Sequence, residues 1–454
     1  MTVIARPLLT EALRPDASLR REVRTAVQAL IDPESVIARR QANEGAIRRE
    51  LADLVERVAR ERGAILPAAA LAELQAYVVD EVLGYGPIQP LLDDPAVQEV
   101  MVNAPHEVFV ERDGRIELAA VTFDDDAHII AVVERILRRL GRRVDESSPA
   151  VDARIPEAGV RVHVIIPPIA LKGPTITIRK FPRHLSMGEL VEREALTEEC
   201  ARFLGGAVAA RTNILVSGGT GSGKTTLLNA LSEFVGDDER VVTIEDTAEL
   251  KLRKRHVVPL QARPANVEGR GAVTIRDLVV HALRMRPDRL IVGEVRREEA
   301  LDMLQAMNTG HDGSLSTAHA NDPADVVSRL ETMVLQAGVT YPLRAIRQQI
   351  QSAIHMVVHV SRGPDGTRRI ESVAELGALD ARDNVPVRLL FARDDDGSLH
   401  YLRPPHFISR LSPRVRGRLE AALPARRPAP RARRPRRAPA RKPATARRRT
   451  DRTR

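Results

Sequence analysis

A glycine-rich segment with one lysine and two threonines carries the strongest chemical signal in the chain. Residues 218–225 match G-x4-G-K-[ST] and lie between an apolar run and an amphipathic stretch. The glycines allow successive backbone N–H groups to converge on one anion, and the helix that follows directs its positive dipole end there. We predict that Lys224 bridges the β- and γ-phosphates of a nucleotide and that the Thr225 hydroxyl holds Mg²⁺. The predicted nucleotide-binding residues are Gly218, Gly219, Thr220, Gly221, Ser222, Gly223, Lys224, Thr225 and Thr226.

Two glutamates follow apolar runs downstream of this loop. Glu245 ends the run that begins at Val241, and Glu294 follows the run that begins at Leu290. The carboxyl ends of parallel strands are where ligands bind, so either carboxylate can orient the attacking water or complete the Mg²⁺ shell through water. Gly293 occupies the position where the common P-loop pattern has Asp, which leaves Glu294 to act through water or as the base. The alternative for each is a capping or solvated acid.

A segment of small residues, hydroxyls and two histidines forms the third candidate, residues 307–321. His319 follows a predicted strand at 314–317, where its ring could hydrogen-bond the γ-phosphate; the alternative is a structural histidine. A metal site formed by His311 and His319 needs a third ligand that the sequence does not identify.

The surrounding pattern predicts how these segments are positioned. Residues 18–83 have helical apolar periodicity, and residues 84–182 change to short strands around one helix, with a hairpin at Asp113-Gly114. Residues 186–370 alternate strands and helices, which predicts an α/β fold with a parallel sheet covered by helices. Residues 387–402 predict an additional hairpin at the edge.

Composition and charge exclude several classes of protein. One cysteine, Cys200, rules out a disulfide scaffold or a multi-cysteine zinc module and favours a reducing compartment. No stretch is apolar enough to span a membrane, and the N-terminus does not resemble an export signal. The last 31 residues carry 13 Arg, one Lys and one Asp, a net +13, so the other residues sum to 9 − 13 = −4. We expect a mildly acidic folded body followed by a disordered basic tail.

The motifs together resemble the type II/IV secretion-system ATPases, and most closely the CpaF-like ATPases of Flp/Tad pilus assembly. The resemblance covers about residues 84–360 and rests on segments 84–95, 177–181, 218–225, 243–250, 284–296 and 302–321. It implies a RecA-like P-loop NTPase core, a preceding PAS-like α/β domain and an N-terminal helical extension. The implied boundaries are 1–83, 84–185, 186–423 and, for the tail, 424–454.

The resemblance also implies an activity and a setting. ATP and Mg²⁺ would bind between the two α/β domains of a homohexamer, and hydrolysis would drive an inner-membrane platform protein from the cytoplasmic face. Glu245 would polarise the attacking water, His319 would sense the γ-phosphate, and Arg161 and Arg179 would contact phosphates from the preceding domain. The alternative for the two arginines is surface charge. The chain departs from the family at His163, where Asn is usual.

Other functions remain open from the sequence. RecA-like rings also move nucleic acid, as in conjugation. The body of this chain is acidic, however, and with 2% aromatic residues and no Trp it has few side chains on which nucleic-acid bases could stack. A non-hydrolysing switch is disfavoured by the presence of both glutamates. The tail is either a solvated extension or a contact with anionic lipid.

Overall fold

The computed structural model describes residues 16–424, apart from 32, 113, 139, 156–158, 182–183, 264, 266–269, 364, 395 and 411–412. The helices are α1 (Ala17–Leu30), α2 (Pro33–Glu61), α3 (Ala68–Leu83), α4 (Gln89–Asp93), α5 (Asp126–Arg138), α6 (Met187–Glu192), α7 (Glu198–Ala209), α8 (Lys224–Ser232), α9 (Ile275–Ala282), α10 (Glu299–Asn308), α11 (Asp325–Gln336), α12 (Leu343–Ala353) and α13 (Pro413–Ala421). The strands are β1 (Val97–Ala104), β2 (Glu107–Arg112), β3 (Arg115–Leu118), β4 (Ala150–Ile155), β5 (Val160–Ile165), β6 (Thr175–Lys180), β7 (Ile214–Gly218), β8 (Val241–Glu245), β9 (Val257–Gln261), β10 (Arg289–Val295), β11 (Leu315–Ala318), β12 (Met356–Arg362), β13 (Arg368–Leu376), β14 (Val387–Arg393) and β15 (Leu399–Tyr401).

The first three helices pack around one apolar cluster. The apolar periodicity predicted for residues 18–83 is present in α2, where Ile47, Leu51 and Val55 are buried in one cluster with α3 residues such as Leu74. Helix α2 is kinked at Asn43, whose backbone angles are φ −157° and ψ 84°. The predicted helical character of this region is confirmed. The predicted basic tail lies outside the described residues except for Pro424.

A six-stranded antiparallel sheet follows, with strand order β3-β2-β1-β6-β5-β4. One face packs against α5 through residues such as Val100, Val162 and Ile178. Because side chains alternate across a strand, the opposite face carries the intervening residues. On that face Arg154 of β4, Arg161 of β5 and Arg179 of β6 are successive register partners, so the three guanidinium groups form one row.

The second sheet has nine strands in the order β15-β14-β13-β12-β7-β11-β10-β8-β9. The six strands from β12 to β9 in that order are parallel, as the sequence predicts. The sheet is nevertheless mixed, because β13, β14 and β15 extend it with antiparallel pairs. Two apolar clusters, one on each face, cover it with helices. None of the helices in the described part of the chain has both the length and the apolarity that a membrane crossing requires.

Candidate functional site

The phosphate loop connects the central strand β7 to the start of α8. Lys224 is the first residue of α8, and Gly223 caps it in the left-handed conformation at φ 99°. A Cβ on Gly218 would lie 2.2 Å from the carbonyl oxygen of Val360 on β12, so the loop leaves the sheet at a point where only glycine fits. The local motif therefore folds into the strand–loop–helix arrangement that suits an anion.

Lys224 is buried and directed toward its own loop. Its Nζ donates to the carbonyl oxygens of Gly218 and Gly219 at 3.1 and 2.8 Å. Burial lowers the pKa of Lys224, and the attraction of Glu294 opposes that effect. The ammonium group thus lies in a low-dielectric position, where its charge acts strongly on an anion bound by the loop.

Glu245 ends β8 as a buried carboxylate, 4% exposed. Its Oε1 accepts the backbone N–H groups of Glu249 and Leu250 at 2.8 and 2.9 Å. Burial raises the pKa of Glu245 to about 7, despite these two hydrogen bonds. A carboxyl that titrates near neutral pH can exchange a proton with water during turnover.

Gly293 leaves the space that the Glu245 side chain occupies. A Cβ at this position would lie 2.9 Å from Cγ of Glu245, a closer approach than carbon atoms tolerate. The neighbouring strands β8 and β10 pair Ile244 with Val292, which brings the next residue of each strand together. A side chain at position 293 would therefore clash with the side chain of Glu245 in its observed rotamer.

Glu294 belongs to a chain of polar and charged groups that reaches Lys224. Its Oε2 accepts a hydrogen bond from Nε of Arg296 at 2.7 Å, and its Oε1 lies 2.7 Å from Nε2 of His319. Nδ1 of His319 lies 3.4 Å from Nζ of Lys224. Burial, and then the charge of Lys224, lowers the pKa of His319. The predicted His319 is therefore next to both the phosphate-loop lysine and the second glutamate.

One member of the arginine row of the six-stranded sheet lines a cleft beside the phosphate loop. The cleft lining includes Arg161 beside Thr225, Glu249 and Glu294. Arg161 also donates to Oδ1 of Asp152 at 3.1 Å, so the two predicted arginines differ in their surroundings. Arg179 is the register partner of Glu99, and burial raises the pKa of that glutamate against the attraction of Arg179.

Sequence reasoning missed four arginines at this site. Arg154, in the row with Arg161, donates from Nη1 to Oε1 of Gln261 at 3.3 Å. Arg296 holds Glu294, and its spacing of two residues from that glutamate could have indicated it. Arg362 and Arg368 lie on a hairpin that is distant from the loop in sequence but adjacent to it in the fold, and no local sequence pattern connects them with the loop.

The alternative metal site at His311 and His319 gains no support. Nδ1 of His311 lies 3.2 Å from the carbonyl oxygen of Ala306. Within the described residues, the one group of three potential His, Cys, Asp or Glu ligands is Asp394, Asp396 and His400, all exposed and away from the phosphate loop.

The residues beside the loop fit a Mg²⁺ ion. Thr225 and Glu294 line one cleft and offer hydroxyl and carboxylate oxygens, the donors that Mg²⁺ prefers. Oε1 of Glu294 is buried and, among the described residues, accepts no hydrogen bond with acceptable geometry, although Nε2 of His319 is close. This oxygen remains available to a water ligand of the ion.

Comparison with known proteins identifies the family of this chain. Residues 81–373 match the family model described as "Type II/IV secretion system protein". The chain is 39% identical over 308 residues to a putative conjugal transfer protein of Mycobacterium tuberculosis, covering 66% of this chain and 87% of that protein. It is 35% identical to the conjugal transfer protein TrbB of Rhizobium radiobacter over 289 residues, covering 63% and 85%.

One protein of known structure is also similar to this chain in sequence. The VirB11 ATPase of the Brucella suis type IV secretion system is 32% identical and covers 64% of this chain and 92% of its own, with a TM-score of 0.35. The family match spans the six-stranded sheet, the phosphate loop and both glutamates. The chain therefore belongs to the type II/IV secretion system protein family of ATPases, with a RecA-like P-loop core.

Proposed function

We propose that the chain is a Mg²⁺-dependent ATPase motor of the CpaF-like branch, which powers Flp/Tad-type pilus assembly or related secretion. The observation that carries the proposal is the buried Lys224 at the phosphate loop, with Glu245 and Glu294 at the ends of adjacent strands. We propose the units 1–83, 84–185 and 186–423, with the basic segment 424–454 after them.

The chain's own groups divide the work. Backbone N–H groups of 218–226 and the ammonium of Lys224 bind the phosphates, and Arg161 and Arg179 approach them from the other sheet. Glu245 accepts a proton from the attacking water, because its pKa of about 7 matches that task. Thr225, and Glu294 through water, would hold Mg²⁺, which would neutralise charge on the phosphates.

His319 connects the phosphate site to the second glutamate. Its ring lies between Nζ of Lys224 and Oε1 of Glu294. A γ-phosphate that attracts Lys224 alters the charge next to this ring, so His319 is positioned to sense the nucleotide state. Arginines that contact phosphate only when the two sheets approach would couple that state to domain movement.

The Lys224→Ala variant tests the site. We expect steady-state ATP hydrolysis to fall by about 100-fold or more, as when a group that stabilises transition-state charge is removed. Lys172→Ala is the matched control, because Lys172 is exposed in the turn between β5 and β6. Wild-type turnover in the Lys224 variant would remove the basis of the proposal.

The finer parts of the proposal have separate tests. We propose a homohexameric ring with heterologous contacts that close, acting at the cytoplasmic face on an inner-membrane platform protein. Light scattering of the purified chain with nucleotide measures the ring size. Deleting 424–454 and measuring binding to anionic liposomes tests whether the basic segment contacts lipid. Unchanged binding would leave that segment without this role.

A conjugation role is the second candidate. It is favoured by the similarity to proteins named for conjugal transfer. The net charge of −4 outside the basic segment and the 2% aromatic content disfavour direct movement of nucleic acid. Stimulation of ATPase activity by single-stranded DNA, but not by a platform-protein fragment, would favour the conjugation candidate.

A further inference from the structure

Two arginines outside the proposed chemistry face each other beside the phosphate loop. Arg362 ends β12, Arg368 begins β13, and the two are register partners in this antiparallel pair. Strand β12 also pairs with β7 so that Val360 is opposite Gly218, which places the hairpin next to the loop. Like charges directly opposite across two strands are unfavourable, so both guanidinium groups require partners elsewhere.

Arg368 contacts the phosphate loop itself. Its Nε donates to the carbonyl oxygen of Gly221 at 2.8 Å. Its Cδ would lie 3.4 Å from a Cβ on Gly223, the residue that caps α8. Burial, followed by the charges of Arg362 and Arg179, lowers the pKa of Arg368. The side chain therefore holds the outer edge of the loop whose inner edge binds phosphate.

Arg362 contacts the other sheet. Its Nη2 donates to the carbonyl oxygen of Gly114 at 2.9 Å and to Oε1 of Glu111 at 3.2 Å. A Cβ on Gly114 would lie 2.2 Å from this Nη2, so the turn between β2 and β3 fits the guanidinium closely only because residue 114 is glycine. The Glu111 carboxylate, 18% exposed, gives this ion pair partial shielding from solvent.

We propose that Arg362 and Arg368 form a latch that makes nucleotide affinity depend on the position of the six-stranded sheet. One arginine holds the loop and the other holds the turn of that sheet, and the hairpin joins them. Both are positioning residues, because they act on nucleotide through the loop backbone. The inference rests on the proposed nucleotide site at Lys224. Linkage is reciprocal, so nucleotide that orders the loop also strengthens the contact with the turn.

The test compares four variants of the full chain by binding of fluorescent ADP with Mg²⁺. Arg368→Gln removes one charge-assisted hydrogen bond to the loop, and we expect about 10-fold weaker binding. Arg362→Gln and Glu111→Gln both remove the inter-sheet ion pair, and Arg362→Gln also removes the hydrogen bond to Gly114. We expect both to weaken binding by less than Arg368→Gln does, and Glu111→Gln by the smaller factor of the two. Arg369→Gln is the matched control: this neighbour on β13 pairs in register with Ser361, and we expect affinity within about twofold of wild type.

A double-mutant cycle separates the latch from general damage. We expect the Glu111→Gln, Arg362→Gln double variant to bind ADP as Arg362→Gln alone does, because the change at residue 362 already removes the ion pair that Glu111→Gln breaks. We also expect backbone amides of 219–223 to exchange hydrogen faster in Glu111→Gln, although that residue lies on the other sheet. Fully multiplicative losses, or amide exchange unchanged by Glu111→Gln, would overturn the latch.

Failure of the latch and failure of the proposed ATPase site give different results. If Lys224→Ala abolishes turnover while Arg362→Gln and Arg368→Gln bind ADP like the Arg369 control, the latch is wrong and the ATPase site stands. If Lys224→Ala keeps full turnover, the proposed site is wrong whatever the arginine variants do. Melting temperatures of all variants identify any that fail to fold, and amide exchange in Glu111→Gln then serves as the deciding measurement.

Discussion

Replacing Glu245 with Gln tests the physical origin of its unusual acidity. The carboxyl is 4% exposed and keeps two backbone hydrogen bonds, yet burial raises its pKa from 4.5 to about 7. One pKa unit corresponds to about 1.4 kcal/mol, so this change represents about 3 kcal/mol of differential stability between the two protonation states. Gln keeps the shape and an oxygen that can accept both N–H groups, but it cannot ionise.

The sign of the effect follows from which form the fold disfavours. The folded protein binds this proton more tightly than the unfolded chain does, because the ionised carboxylate is poorly solvated in the fold. The stabilisation is fully present below pH 4.5 and is lost as the pH rises through about 7. We therefore expect the free energy of unfolding of Glu245→Gln, relative to wild type, to increase by about 3 kcal/mol between about pH 4.5 and about pH 8.

Urea-induced unfolding at several pH values in this interval measures the difference. Glu192→Gln, at the exposed end of α6, is the matched control for the same chemical change away from the buried site. If the difference in unfolding free energy between Glu245→Gln and wild type stays constant across the interval, burial does not raise the pKa of Glu245. A difference that decreases with rising pH would mean that the hydrogen bonds outweigh burial.

Three further predictions concern the same core. The kcat for ATP should rise through about pH 7 as Glu245 loses its proton; a flat profile there would exclude it as the base. Gly293→Ala should displace the Glu245 carboxyl and lower kcat by about 100-fold with ADP affinity nearly unchanged; an unaltered kcat would contradict the contact. Arg289→Met should cost about 3 kcal/mol in urea unfolding, because Arg289 is fully buried and donates two hydrogen bonds to Glu239. Adding Glu239→Gln should recover part of that loss.

The phosphate-loop region could be predicted because its signals are local. The sequence predicts an apolar run before the loop and a helix after it, and the structure has β7 at Ile214–Gly218 and α8 from Lys224. The strand predicted at 241–244 likewise corresponds to β8. Glycine spacing, one lysine and short apolar runs determine these elements within about 15 residues of chain, and no distant contact competes with them.

The latch arginines could not be predicted from the sequence. Their importance depends on β12 lying next to β7, a pairing between strands separated by more than 130 residues of chain. It also depends on the turn at Gly114 reaching the same place from a different sheet. The chain contains 64 Arg and six Lys, so arginine alone carries little information, and only strand order distinguishes Arg362 from the others.

The sequence reveals Gly293 but not the structural reason for a glycine at this position. The sequence reveals a glycine where an acid is common, and this suggests only that an acid is missing. Pairing of β8 with β10 puts that glycine against Glu245, whose side chain occupies the space that a residue-293 side chain would require. A carboxylate of the adjacent strand therefore lies against residue 293, while Glu294, one residue later, lies beside His319. The two carboxylates occupy different environments, one hydrogen-bonded to backbone and one beside Arg296 and His319, and this difference follows from strand pairing rather than from either motif alone.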